Sequence, residues 1–286
     1  MTTEQPLASY LPASGNLSVS AMLRGMRRQW LWFYTRLFAV ILYLPSVFIL
    51  LFSFNSGIHV AFPLKEWTFD WYIALGRNGA LLTAAGNSLK VGVAASLMST
   101  TIGVLGGFAL VRYRWPGGQG LTALSMMPLL MPSIIMGISL LVLLRTIGFG
   151  NSLTAITIGH IVFCTPLSLS IMMSRFVTLD RTLEEAALDL GANEIGTFLK
   201  ITLPLSVSAI AASIILCLTA SIDEFVIAFF LAGTDVTLPL YIWGQLRFPS
   251  RLPEILALGS CMLLGTLALI VVGEMLRRRG AAQNVT

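Results

Sequence analysis

The stretch EEAALDLGANEIGTFLKITLPL, Glu184 to Leu205, sets a charged, glycine-containing segment between two long apolar runs. Its first residues read as a capping box, Thr182-Leu183-Glu184-Glu185, with a hydroxyl at the cap and a carboxylate close behind. That predicts a helix from Thr182 through Leu190, ended by Gly191, which adopts left-handed backbone without the penalty of a Cβ. Asn193 then caps a second short helix from Glu194 to about Ile201. Pro204 is expected to open the following apolar run, at a helix start where proline costs little. Leu183, Ala187 and Leu190 share one helical face, and Ile195, Phe198 and Leu199 share another. Two readings fit such an angled pair. It is an interfacial hairpin covering a bundle, or a knob that inserts apolar residues into another protein.

The rest of the chain is far more apolar. Of 286 residues, 56% are hydrophobic and 11% charged, and the mean hydropathy is +0.84. A soluble domain carries roughly 25% charged residues, so the composition points to a membrane protein. The net charge of +5 does not make a nucleic-acid surface. The basic residues form no single face or run and sit at the ends of apolar segments. Cys164, Cys217 and Cys261 stand far apart in apolar runs, with no C-x-x-C, which argues against a metal site and a disulfide framework.

Six apolar stretches reach the roughly 20 residues that a bilayer core requires. They are about 31–54, 84–111, 120–144, 152–174, 205–232 and 255–276. The fold class expected is therefore all-α, a polytopic membrane protein with six transmembrane helices. One membrane domain, 30–280, lies between a polar N-terminal tail, 1–29, and a short C-terminal tail, 281–286. The first apolar run is too long for a cleaved signal peptide and reads as a retained span. Arg24, Arg27, Arg28, Arg112, Arg114, Arg175, Arg181, Lys200 and Arg277 to Arg279 would fall on the cytoplasmic side if the N-terminus is inside. Lys65, Arg77, Arg145, Arg247 and Arg251 would fall outside, so both termini and the loop at about 176–204 are expected in the cytoplasm. The tryptophans lie near span ends, as interfacial anchors do, and Trp67–Leu75 fits either a short surface helix or an ordered loop. Pro45, Pro128, Pro132 and Pro166 predict bent spans, and Gly103 with Gly107 makes a small-xxx-small face for close helix contact.

Charges inside a span are costly and usually functional. Asp223 and Glu224 lie within the fifth apolar run, where one of them, with Asp223 preferred, would face a central pathway. A structural role, pairing with Lys90 or capping a broken helix, is the competing expectation. His160 falls mid-span in the fourth run, where a hydrogen bond inside the bundle outweighs a ligand or relay role, and Ser221 would help to line the path.

The spacing Glu185-Ala186-Ala187, three residues, Gly191, nine residues, Ile201-x-Leu203-Pro204 resembles the EAA loop of ABC importer permeases at every defining position. The segments SIDEFVIAFFLAGT (Ser221–Thr234) and LPLYIWGQLRFPSRLPEILALGS (Leu238–Ser260), with SFNSG and WTFDWY, resemble the second permease of spermidine/putrescine-type importers. This resemblance implies a type I ABC importer permease fold in a bacterial inner (plasma) membrane, crossed several times. It implies that the loop docks into a separate ATPase, with Glu184, Glu185, Ala186, Ala187, Gly191, Ile201, Leu203 and Pro204 as its residues. It implies acidic residues at the place of Asp223 and Glu224, drawing in a cationic solute, within a translocation pathway expected from the residues themselves to include Asp223, Glu224, Ser221 and His160. The partners it implies are a non-identical second permease, two ATP-binding subunits and a periplasmic or lipid-anchored substrate-binding protein.

The chain has no P-loop, because each of its lysines, Lys65, Lys90 and Lys200, follows leucine and not glycine. No cofactor is therefore expected in this chain, and ATP and Mg²⁺ belong to the partner ATPases. The chain is read as no enzyme, since its two histidines form no catalytic or metal constellation. An ion-coupled secondary transporter using Asp223, Glu224 and His160 is the alternative, and it leaves the EAA spacing unexplained. A polyamine or related amine is the first substrate, with opines, amino-acid derivatives and thiamine-like cations open beside it.

Overall fold

The computed structural model describes residues 14–113 and 116–283, with side chains described at 29–113 and 116–268. Arg114 and Trp115, and the side chains of Arg24, Arg27, Arg28, Glu274 and Arg277 to Arg279, lie outside the described residues. The described chain is helical, with an isolated antiparallel bridge, Asn55 to Trp67, outside the helices. It divides into two units, residues 1–72 with 256–286, and residues 73–255.

In the first unit, α1 (Ser14–Ser53) contains Pro45 and ends in a hydrogen-bonded reversal. Ser56 N–H donates to the Glu66 carbonyl at 2.9 Å, and Thr68 N–H to that of Phe54 at 2.8 Å. Phe54 packs in this turn against Trp67, Phe69 and Tyr72. The Tyr72 hydroxyl bonds Ser53 Oγ at 2.7 Å and Ser260 Oγ at 3.0 Å. Of the segment Trp67–Leu75, only the part from Asp70 is helical, in α2 (Asp70–Arg77); Trp67 is held instead by the bridge.

The second unit is built on α3 (Gly79–Arg112), α6 (Leu153–Thr178) and α10 (Val207–Asp223). Helices α3 and α6 run parallel, because Gly103 meets Ser168 and Gly107 meets Met172. Gly92 meets Leu218 and Ile222 of α10, while Thr100 meets Ser213, so α10 runs the other way. The expected small-xxx-small face is therefore the α3–α6 contact. A Cβ at Gly103 would sit 2.0 Å from Ser168 Oγ. Three buried hydroxyls cross the seam, Ser213 Oγ donating to Ser168 Oγ at 2.8 Å and bonding Thr100 Oγ1 at 3.0 Å. Without hydrophobic contrast against lipid, such close approach and polar bonding are what hold membrane helices together.

The third expected span is not one helix. It is α4 (Gly118–Leu130) and α5 (Ser133–Thr146), meeting at 107°. Pro132 lacks an N–H and pushes the preceding Met131 into extended backbone, so the helix stops at Leu130. The fifth expected span is broken twice, at Ser206 and at Glu224. Four helices are long and apolar enough to cross a membrane, and six spans result if each bent pair counts as one. The remaining helices of this unit include α11 (Val226–Leu231) and α12 (Leu238–Gln245). Helix α13 (Leu252–Gln283) carries most of the last candidate span, Pro249–Ala268, in its first half.

Candidate functional site

The loop after α6 begins one cap earlier than the sequence suggests. Asp180, not Thr182, is the N-cap: its carboxylate accepts from Thr182 N–H at 3.0 Å and starts α7 (Arg181–Asp189). An acidic side chain two residues before the expected cap was the signal, masked by the S/T-x-x-E pattern that followed. The N–H bond holds the Asp180 carboxyl below its ordinary value of 3.8. A depressed carboxylate stabilises the fold above its ordinary pKa and loses that contribution as pH falls through the folded value. The protection factors of the α7 amides, corrected for intrinsic exchange at each pH, should therefore be flat from pH 8 to about 5 and fall below about 4. Asp180→Asn, which still caps but cannot titrate, should abolish that pH step.

Helix α7 ends as the sequence predicts. Gly191 has φ +87. Its N–H donates to the Leu188 carbonyl at 2.9 Å, and the Ala192 N–H to that of Ala187 at 3.0 Å. This reciprocal pair closes the helix and turns the chain. Asn193 then caps α8 (Glu194–Thr197), accepting from Gly196 N–H at 2.7 Å. The turn does not stop near Ile201. It continues as a π-turn, Phe198–Thr202, and then α9 (Leu203–Leu205), so Pro204 lies inside a helical stretch and does not open the span. The wider turn suits the proline, whose ring would press on the carbonyl four residues back in an α-helix. Leu203 N–H reaches five residues back to Phe198. The bend falls at Ser206, 68° between Glu194–Leu205 and α10.

The faces sort differently from their spacing. Leu190 is 89% exposed and Ile195 72%, while Leu183, Leu188 and Leu199 are also exposed. Phe198, grouped by spacing with Ile195 and Leu199, parts from them, turning inward to pack on Phe108 with ring centroids 4.8 Å apart. Glu185, Ala186 and Gly191 are exposed, Ala187, Ile201 and Leu203 are half-buried, and Pro204 is exposed. An open recess of ≈ 270 Å³ lies beside them, lined by Phe108, Arg112, Tyr113, Leu188, Glu194 and Phe198 among others. Tyr113 donates its hydroxyl to Glu194 Oε2 at 2.9 Å, and that bond raises the phenol pKa.

Glu184 points into the protein. Its Oε2 lies 2.8 Å from Arg112 Nε, and its Oε1 accepts from Arg112 Nη2 at 3.1 Å and from Thr202 Oγ1 at 2.9 Å. Arg112 Nη2 also donates to the Leu179 carbonyl at 3.3 Å, and Arg181 Nη2 to the Arg112 carbonyl at 2.9 Å. Arg175 of α6 donates to the carbonyl of Leu205, the last residue of α9 before the bend. In the sequence these arginines were visible only as charges at span ends.

The acidic pair in the fifth span lies at a helix break. Helix α10 ends at Asp223, and Glu224 has extended backbone at φ −75, ψ 108. The separation of roughly 100° expected for neighbours on one helix does not apply, because the two residues do not share one. Glu224 Oε1 accepts from Val226 N–H at 2.9 Å and Ile227 N–H at 3.1 Å, capping α11. Asp223 is exposed and has no hydrogen bond or ion pair among the described residues. Neither residue pairs with Lys90; the ion pairs among the described residues are Arg112–Glu184 and Arg251–Glu254. His160 and Ser221 are buried and bond each other, Nδ1 to Oγ at 2.7 Å, between α6 and α10.

The opposite end of this unit is held by amides. Asn87 Nδ2 donates to the Val236 carbonyl at 3.1 Å, and Leu238 N–H donates to Ser88 Oγ at 2.8 Å. Asn151 donates to the Phe230 and Ala232 carbonyls and accepts from Arg145 at 2.7 Å.

Known proteins align with this arrangement. Residues 99–280 match the family described as binding-protein-dependent transport system inner membrane component. The spermidine/putrescine transport system permease protein PotC of Escherichia coli is 34% identical over 247 residues, 86% of this chain and 92% of that protein. PotC of Haemophilus influenzae is 32% identical over 239 residues, 83% of this chain and 92% of the relative. The putrescine transport system permease protein PotI of Escherichia coli is 35% identical over 237 residues, 80% of this chain and 83% of PotI. A crystal structure of a bacterial ABC transporter that imports the acidic polysaccharide alginate shares the fold. Its TM-score is 0.66, with 20% identity, and the likeness covers 95% of this chain and 99% of that one.

Proposed function

The chain belongs to the inner membrane components of binding-protein-dependent transport systems, and from that premise we propose that it passes a polyamine or related small amine into the bacterial cytoplasm. The observation that carries the substrate is the likeness to three polyamine permeases, each at least 32% identical over at least 80% of this chain. Asp223 supports it: an exposed carboxylate at a helix break, without a counter-ion among the described residues, suits a passing cation. Glu224, already engaged in capping, serves the shape of the path and not its charge. His160 and Ser221 fasten α6 to α10 behind it.

In this reading the loop at about 176–204 docks on a separate ATPase, which binds ATP and Mg²⁺. Exposed Leu190 and Ile195, on either side of the Gly191 turn, supply the apolar contact, and Glu185 to Ala187 flank it. The complete transporter has a second, non-identical permease, two ATPases and an external binding protein, and both termini of this chain face the cytoplasm of a bacterial inner-membrane protein. Reporter fusions at each end test that orientation.

Uptake of labelled putrescine and spermidine into proteoliposomes holding the complete complex tests the substrate. Uptake should depend on ATP and on the binding protein. Asp223→Asn should raise the apparent KM for the amine about tenfold while ATP hydrolysis persists, as loss of one attractive charge predicts. Uptake of neither amine by the intact complex, or an unchanged KM in Asp223→Asn, would remove the corresponding half of this reading.

A further inference from the structure

We propose that Glu184 is a positioning residue, an internal strut between the loop and the membrane helices, and not part of the surface offered to the ATPase. The proposal rests on the docking reading above and deepens it. Neighbouring Glu185 is exposed, with no hydrogen bond or ion pair among the described residues. Glu184 is the opposite: its side chain is 12% exposed, and that of its partner Arg112 is 8%. One carboxylate joins three elements. Arg112 is the last residue of α3, Glu184 stands in the first turn of α7, and Thr202 closes the π-turn ahead of the Ser206 bend.

The geometry assigns each bond a task. The guanidinium holds the carboxylate at two points, a hydrogen bond from Nη2 to Oε1 at 3.1 Å and a close ionic contact of Nε with Oε2 at 2.8 Å, where a lysine would offer a single point charge. The bond from buried Thr202 ties the same carboxylate to the helical stretch that leads into α10. Arg175 of α6 holds the same helical stretch at its end, at the Leu205 carbonyl just before the bend. A displacement of α7 is thereby shared between α3 and α10, which also meet at Gly92 and at Thr100–Ser213. Without the strut, α7 can shift while the membrane helices stay behind.

The test measures coupling, because a residue that only keeps the loop folded would alter complex yield and not stoichiometry. In the reconstituted complex, Glu184→Gln keeps size and an acceptor for Thr202 but removes the ionic contacts. The ATPase should copurify at the wild-type ratio and hydrolysis should stay within about twofold, while amine taken up per ATP falls about tenfold. Thr202→Val, isosteric and free of any charge change, should lower the same ratio about threefold and guards against misfolding of the first variant. Joining Glu184→Arg with Arg112→Glu should recover part of what either loses alone.

Unchanged uptake per ATP in both Glu184→Gln and Thr202→Val overturns the strut. Release of the ATPase by Glu184→Gln overturns it too, by placing Glu184 on the docking surface. Failure of the docking reading itself looks different: no ATPase copurifies with the wild-type chain.

Discussion

Replacing Gly103 by valine should leave almost no folded protein extractable from the membrane, and alanine at the same site should already lower the unfolding temperature. A Cβ there would lie 2.0 Å from Ser168 Oγ and 2.9 Å from the Ser168 carbonyl carbon. The hydroxyl could rotate away, but the backbone carbon cannot, so α3 and α6 must separate. Overpacking of this kind costs about 1–3 kcal/mol even where the neighbours can adjust. The separation also pulls Ser168 from Ser213, and Ser213 from Thr100, each bond being worth about 0.6 kcal/mol within a membrane. Gly86→Ala is the control, since a Cβ there meets nothing within 4 Å. Size-exclusion profiles and thermal unfolding in detergent read the outcome. A Gly103→Val protein as stable as Gly86→Ala would mean that the α3–α6 contact is looser than described.

The second large effect is expected at Gly191. Valine should cut ATP-driven uptake by one to two orders of magnitude and release the ATPase from the complex. No clash within the chain causes it, because a Cβ at Gly191 meets nothing within 4 Å. The cause is the backbone at φ +87, where a non-glycine residue is strained by about 1–3 kcal/mol and a β-branched one most of all. Relief of that strain would break the bonds from Gly191 and Ala192 that hold the turn, and Leu190 and Ile195 would no longer be presented together. Asparagine tolerates the left-handed region, so Gly191→Asn should retain most of the activity. Equal losses for valine and asparagine would point to steric contact with a partner and away from backbone conformation. ATPase copurification and uptake, measured on the same preparations, distinguish these outcomes.

Much of this was written locally. Gly191 as helix terminator and Asn193 as cap are events within about five residues of chain, and the EAA spacing is a fixed interval along it from Glu185 to Pro204, so sequence chemistry suffices for them. The candidate spans, four to six of them, followed from apolar length, which the bilayer sets. The breaks were harder. Pro132 announced itself as a bend, yet its size depends on where α4 and α5 pack. Glu224 read either as a pathway charge or as the cap of a broken helix, because nothing in DEFVIAF marks where an interruption would fall. The capping role was selected only by the extended backbone at that residue, which frees the next amides for its carboxylate.

The sequence by itself determined that this is an all-helical membrane chain with a capped, glycine-hinged loop between its fourth and fifth spans. Spacing, capping and hydropathy act along the chain and need no distant partner. Only the tertiary structure decided which way each polar group of that loop faces. Glu184 and Glu185 are adjacent and chemically identical, and their fates part because Arg112, 72 residues away, reaches one and not the other. Hydrogen bonds are directional and short-ranged, so their partners exist only after the helices have packed.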